Sequence, residues 1–186
     1  VVARAGVGVD NVNVPAASRK GVVVINAPTG NTLAAAELTM ALMLALVRKV
    51  PQAFGTVRDG EWDRKRFSGR QLNGKKVLVV GLGRIGIAVA QRCRAFGMEV
   101  SAYDPYTPRK KAESIGIPMR EDLTDALSVA DLVTLHMPLT QDTTNLIDEK
   151  MLRAFKKGAY LINCARGGIV DEKAAVEAVR DGRLSG

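Results

Sequence analysis

Lys75-Lys76-Val77-Leu78-Val79-Val80-Gly81-Leu82-Gly83-Arg84-Ile85-Gly86 opens the stretch that decides the fold, and Glu99-Val100-Ser101-Ala102-Tyr103-Asp104 closes it. The order is an apolar strand, a glycine-rich turn, an amphipathic helix to about Gly97, a second strand and a terminal acid. A dinucleotide-binding βαβ unit requires that order. Each glycine has its own task. Gly81 lets the chain turn sharply off the strand, Gly83 lets the backbone approach a pyrophosphate, and Gly86 lets the helix sit close to the sheet. The helix start offers unpaired N–H groups and the positive end of its dipole to phosphates. Asp104, about 20 residues further on, can accept ribose hydroxyls and would repel a 2′-phosphate, which favours NAD over NADP. The competing explanation is a tight turn with no ligand. Strand, helix and acid in register argue against it.

Working outward, strand and helix patterns alternate. Arg109 to Ser114 and Glu121 to Ala130 read as helices, the second with Leu123, Ala126, Leu127 and Ala130 inward. Residues 131–137 read as a buried strand stopped by Pro138, Asp148 to Phe155 as a helix, and 158–163 as a strand. Asp171 is a good N-cap for a last helix ending near Gly182. In the helix after the glycine turn, Ile85, Val89, Cys93 and Phe96 form one stripe and are expected in the core. The fold class is therefore α/β, a doubly wound parallel sheet with helices on both faces. Ligands in such sheets bind outside the carboxyl ends of the strands. The glycine turn, Asp104, the His136-Met137-Pro138 end and the Cys164-Ala165-Arg166 end all fall there.

Upstream of the βαβ unit the pattern is looser. Residues 1–30 hold two short apolar pieces joined by a polar segment, with Gly6 and Gly8 marking a tight loop after the first. A helix is expected from about Thr32 to Val50, with Glu37 in its first turn, Arg48 and Lys49 in its last, and Pro51 ending it. Its apolar run, Leu33 to Val47, is shorter than the roughly 20 residues that a membrane span needs. It reads as a buried or interface helix, and no membrane partner is expected. Gly55 to Asn73 reads as an extended, basic arm.

The chain has 186 residues, 47% of them hydrophobic and 25% charged, which suits one soluble domain with a full core. The net charge of +8 raises a nucleic-acid reading. The basic residues are scattered, however, and no nucleic-acid motif is present, so solvated surface is the better account. The two cysteines, Cys93 and Cys164, lack a close partner or metal-ligand spacing. A reduced, cytoplasmic setting is expected, with no metal. The chain begins without Met and as though inside a strand, and it stops where another strand should start; a longer protein is expected.

GLGRIG (81–86), VTLHMPLT (133–140) and NCARGGIVDE (163–172) occur in order, downstream of ARAGVGVDN (3–11). Together they resemble the NAD-dependent D-2-hydroxyacid dehydrogenases over essentially the whole chain. The resemblance implies a nucleotide-binding domain set into a substrate-binding domain. Residues 1–29 correspond to the tail of the substrate domain and 30–186 to most of the NAD-binding domain. It further implies that Arg84 and Ile85 contact the pyrophosphate and that Asp104 accepts the ribose. Met137, Pro138 and Thr143 would form the adenosine and phosphate wall, and Cys164 and Ala165 would lie beside the nicotinamide ribose. Val7 corresponds to a residue at the cofactor and substrate cleft. Arg166 resembles the arginine that holds the substrate carboxylate, and its planar fork can grip a carboxylate bidentately and polarise the neighbouring carbonyl.

By the same resemblance the substrate is a small 2-hydroxyacid, with 3-phosphoglycerate, oxidised to 3-phosphohydroxypyruvate for serine biosynthesis, as the expected one. The Leu33–Val47 helix and the arm around Trp62 correspond to a homodimer contact. The family's general acid/base is a histidine paired with a glutamate, and both match positions beyond residue 186. His136 matches the strand end beside the adenosine pocket, so packing or a pocket hydrogen bond is its expected role. The chain is thus expected to bind NAD without supplying the proton donor. The alternative is an NAD-sensing, non-catalytic regulator of the same fold.

Overall fold

The structure is a computed structural model and describes residues 1–186. It contains two parallel sheets. The smaller pairs β1 (Val2–Arg4) with β2 (Val24–Asn26), Val2 opposite Val24. Between them, where sequence pattern alone suggests only a polar segment, runs a short helix, α1 (Val14–Arg19). Its signals were local: Asn13 accepts the Ala16 N–H at 2.9 Å, and Pro15 occupies the first turn. None of its residues is buried, so no apolar periodicity announced it.

The larger sheet is built from β3 (Lys76–Val80), β4 (Glu99–Tyr103), β5 (Leu132–Leu135) and β6 (Tyr160–Asn163), all parallel, in the order β4-β3-β5-β6. Alternation along β3 separates two cores. Leu78 and Val80 face Leu127, Leu152 and Ala178 of α6 (Leu123–Val129), α7 (Glu149–Ala154) and α8 (Glu172–Arg180). Val77 faces α2 (Thr32–Arg48) and α4 (Arg84–Ala95) through Met40, Met43, Val47, Val89 and Cys93. Val79 packs with Ala90, Ala102 and Ala112, the last from α5 (Arg109–Ser114). Apolar area on both faces explains why the strands are near-continuous hydrophobic runs. Leu184 bridges Ala159, and the Leu161 N–H donates to the Gly186 carbonyl at 3.0 Å, so the last residues extend the sheet beside β6.

Several expectations need correction. The helix from Thr32 ends at Arg48, not Val50, because Lys49 turns left-handed at φ 55°. Pro51 does not simply stop it. It sits in the first turn of a new helix, α3 (Val50–Arg58), where a missing N–H costs nothing. The expected arm is thus helical at its start, and its far end is pinned where Arg70 N–H donates to the Val47 carbonyl at 2.9 Å. Glu37 lies beyond the first turn and approaches Arg92 at 3.8 Å. In α4 the stripe holds for Val89 and Cys93, both fully buried, but Phe96 is 45% exposed. Phe96 is the C-cap, beyond the reach of the sheet, and Gly97 (φ 73°) turns the chain away. Burial pushes the Cys93 thiol up to about 12, which makes it an inert part of the core.

Candidate functional site

The loop from β3 into α4 is tightly packed, backbone against backbone. Gly81 has φ 93°, and a Cβ there would sit 2.5 Å from the His136 carbonyl oxygen at the end of β5. A Cβ on Gly86 would sit 2.0 Å from the Gly81 carbonyl oxygen. These two glycines are demanded by the protein's own packing. Gly83 differs: its φ is −75°, and a Cβ would meet nothing within 4 Å. No side chain caps α4 there, so the first-turn amides face an open space that the protein does not fill. A dipole end, unpaired N–H groups and a bare backbone are what a pyrophosphate needs.

Asp104 stands just past β4 and reaches back into this turn. Its Oδ2 accepts the Leu82 N–H at 2.8 Å and the Thr107 hydroxyl at 2.9 Å. Its Oδ1 accepts the Tyr106 N–H at 2.8 Å and the Thr107 N–H at 3.1 Å. Burial raises the carboxyl, but these hydrogen bonds outweigh it and leave Asp104 below the ordinary carboxylate range. It is a fixed negative charge at neutral pH.

A cleft of about 390 Å³ opens beside the glycine turn. It brings together Gly83, Arg84 and Ile85 from the start of α4, His136, Met137 and Pro138 after β5, and Cys164, Ala165 and Arg166 after β6. Val7 to Asp10 and the start of α2, including Thr32, close the opposite wall. Of the residues singled out from the sequence, Gly81, Gly86, Asp104 and Thr143 are outside this lining. The first two shape the turn, and Asp104 is tied to it through Leu82. Thr143 shapes its own loop, donating to the Pro138 carbonyl at 2.7 Å and accepting the Thr140 N–H at 2.7 Å. A groove of about 700 Å³ along α8 is larger, but it is open, and Glu172, Lys173, Glu177 and Arg180 line it without any strand-end residue.

Arg166 projects across the cleft. Its Nε donates to Asp10 Oδ2 at 2.8 Å and its Nη1 to the Ala165 carbonyl at 2.7 Å. A Cβ on Gly8 would come within 2.0 Å of Arg166 Nη2, so the glycine loop after β1 makes room for the guanidinium. Asn163 holds the base of the Arg166 loop: its Oδ1 accepts the Ala165 N–H and its Nδ2 donates to the Arg166 carbonyl, at 3.0 and 2.8 Å. Sequence pattern gives Asp10 and Asn163 no role and marks Gly8 only as part of a tight loop. Asp10 is 156 residues from its partner, a pairing that no local pattern records.

His136 lies at the cleft with Nε2 2.9 Å from the Thr134 hydroxyl. Burial pulls its pKa down to about 4, so it is neutral near pH 7. No group of three or more His, Cys, Asp or Glu side chains is arranged to hold a metal ion. No helix is long and apolar enough to cross a membrane.

Residues 40–186 match the family model described as the NAD-binding domain of D-isomer specific 2-hydroxyacid dehydrogenases. The chain belongs to that family. It is 50% identical over 184 residues to D-3-phosphoglycerate dehydrogenase of Methanocaldococcus jannaschii, covering 99% of this chain and 35% of that protein. It is 47% identical to D-3-phosphoglycerate dehydrogenase of Bacillus subtilis, covering 100% of this chain and again 35% of the relative. Among solved structures, D-lactate dehydrogenase from Aquifex aeolicus, complexed with NAD and lactic acid, superposes at a TM-score of 0.88 with 33% identity, over 100% of this chain and 56% of that one. The chain therefore spans about a third of the length of the curated relatives it matches. NAD is the cofactor of the matched domain, and the open Gly83 backbone, the uncapped α4 and the ionised Asp104 fit it.

Two expected outcomes follow from this geometry. Gly86→Ala forces a Cβ into a backbone oxygen and costs roughly 3 kcal/mol of stability, whereas Gly83→Ala leaves the melting temperature nearly unchanged and weakens NADH binding at least tenfold. Thermal melts and titration of NADH fluorescence measure both, and equal melting losses in the two variants would contradict the division of roles. Unfolded histidine protonates near pH 6.5 but folded His136 only near 4. The unfolded state alone gains a proton in that window, so stability falls as pH drops through it, by on the order of 2–3 kcal/mol. In His136→Gln that slope should vanish, while the loss from Asp104, which sets in below the ordinary carboxylate range, remains. Urea denaturation at pH 7 and pH 4.5 checks it, and a parallel loss in both proteins would remove His136 as the cause.

Proposed function

We propose that this chain is the cofactor-holding part of an NAD-dependent D-2-hydroxyacid dehydrogenase acting on 3-phosphoglycerate, the oxidation to 3-phosphohydroxypyruvate that feeds serine synthesis. The observation that carries the reading is the convergence of the bare Gly83 turn and the Arg166 fork on one cleft. The substrate assignment rests on the relatives named above, which are D-3-phosphoglycerate dehydrogenases. Bound NAD supplies the hydride acceptor for oxidation of the hydroxyl carbon.

Each residue then has a role set by its place. The first-turn amides of α4, with Gly83, Arg84 and Ile85, hold the pyrophosphate. Asp104 receives the adenosine ribose, and Met137 and Pro138, with Thr143 shaping their loop, wall the adenosine. Cys164 and Ala165 line the nicotinamide ribose, and Val7 faces the junction of cofactor and substrate. Arg166 grips the substrate carboxylate with the part of its fork not spent on Asp10 and Ala165, which orients the carbon that reacts. His136 is held against Thr134 at the strand end, and proton transfer is assigned, by the family resemblance, to a histidine and a glutamate outside these residues. On this reading residues 1–29 belong to the substrate-binding domain and 30–186 to the NAD-binding domain, and the setting is the cytoplasm.

A second copy of the chain is the proposed partner. On α2 the inward face is Ala36, Met40, Met43 and Val47, yet Leu33, Leu38 and Leu42 on the same helix are 61%, 54% and 46% exposed. Phe54 of α3 and Trp62 beyond it are 67% and 77% exposed. Apolar side chains of that size gathered on adjoining elements mark an association surface.

In the full-length enzyme, Arg166→Lys should raise the KM for 3-phosphoglycerate at least tenfold and leave NADH affinity within twofold, because an ammonium cannot reproduce the planar fork. Steady-state kinetics with D-lactate and glycolate as competing substrates test the choice of 2-hydroxyacid. Tight NAD binding without turnover of any of them would replace the enzyme by an NAD-sensing regulator. Sedimentation velocity should find a dimer that a Trp62→Asp, Phe54→Asp double variant converts to monomer with its circular dichroism intact; a wild-type monomer at all concentrations would overturn the dimer.

A further inference from the structure

The acceptor sites of Asp104 are full. Two hydrogen bonds reach each oxygen, from Leu82 N–H and the Thr107 hydroxyl on Oδ2, and from Tyr106 N–H and Thr107 N–H on Oδ1. A carboxylate offers about four lone-pair sites, two on each oxygen. A ribose hydroxyl arriving at Asp104 therefore has to take the place of a donor already there.

The four donors are not equally replaceable. Leu82 is fully buried in the glycine turn, and its N–H points where the backbone fixes it. The Tyr106 and Thr107 amides belong to the loop that wraps the carboxylate, and moving them means moving the chain. The Thr107 hydroxyl is different, because a rotation about χ1 alone carries it away. It is the only side-chain donor among the four. It also sits on Oδ2, the oxygen that touches the glycine turn.

We propose that Thr107 is a specificity-determining residue for the cofactor: its hydroxyl holds the acceptor site on Asp104 that the adenosine ribose must claim, and so sets how tightly ribose is bound. This rests on the reading of Asp104 as the ribose acceptor. The competition acts only on cofactors that bring a hydroxyl to that site. Removing the Thr107 hydroxyl leaves the site vacant and the carboxylate otherwise held by three amides.

The test uses the 186-residue chain and titrations of NADH and of its 2′,3′-dideoxyadenosine analogue, followed by fluorescence, with circular dichroism for the fold. Thr107→Val, which keeps the shape and loses the hydroxyl, should tighten NADH by about 3- to 10-fold, the worth of one hydrogen bond. It should leave the dideoxy analogue unchanged. Thr107→Ser restores the hydroxyl and should return NADH to the wild-type affinity. If Thr107→Val binds NADH equally or more weakly, or tightens both ligands alike, Thr107 is a plain buttress and the inference fails. Asp104→Asn separates the two levels. Weaker NADH binding in that variant supports the ribose reading whatever Thr107 does, and unchanged NADH binding removes that reading and the inference with it.

Discussion

Everything in the site hangs on the close passage of three backbone segments: the end of β3, the start of α4 and the end of β5. Gly81 lies against the His136 carbonyl, and Gly86 lies against the Gly81 carbonyl, with no room for a methyl group in either place. Because these contacts are backbone to backbone, no rotamer change can relieve a larger residue. The contact brings the α4 N-terminus onto the carboxyl ends of the strands and puts the β5 loop, with His136, Met137 and Pro138, beside it. The cleft is a consequence of that packing.

Around this fixed centre, charge is distributed with little waste. Asp104 spends its hydrogen bonds on the turn and on its own loop, and in return its negative charge is held at the end of β4. Arg166 is positioned from two sides, by the Asn163 clamp beneath its loop and by Asp10 across the cleft. The Asp10 pair is half exposed and adds little to stability. Its effect is orientation: it presents the guanidinium toward the space that the glycine turn leaves open.

The larger sheet was legible because its signals are local and redundant. An apolar run, a glycine turn and a 3.6-residue stripe can each be read within a dozen residues. Asp122, Asp148 and Asp171 all cap their helices by accepting an N–H three residues on. Elements that rest on non-periodic contacts leave no such signal. Helices α1 and α3 have no buried residues: α1 rests on the Asn13 cap and Pro15, and α3 starts on Pro51 without a side-chain cap. Phe96 continued the stripe of α4 in sequence, but the helix had already run past the sheet that buries it.

The sequence by itself determined the order of the elements, the dinucleotide turn and the ends of β4, β5 and β6 as the place where chemistry gathers, because a parallel sheet sends those ends to one edge. It pointed to Arg166 as well. Only the tertiary structure decided which glycine is free. Gly81, Gly83 and Gly86 are indistinguishable as letters, yet two are packed against carbonyls and one faces open space. Tertiary structure also decided that Arg166 meets Asp10 and that Asp104 is already fully engaged. Those facts concern distances between residues far apart in the chain or side chains competing for one atom, and neither leaves a trace in periodicity or spacing.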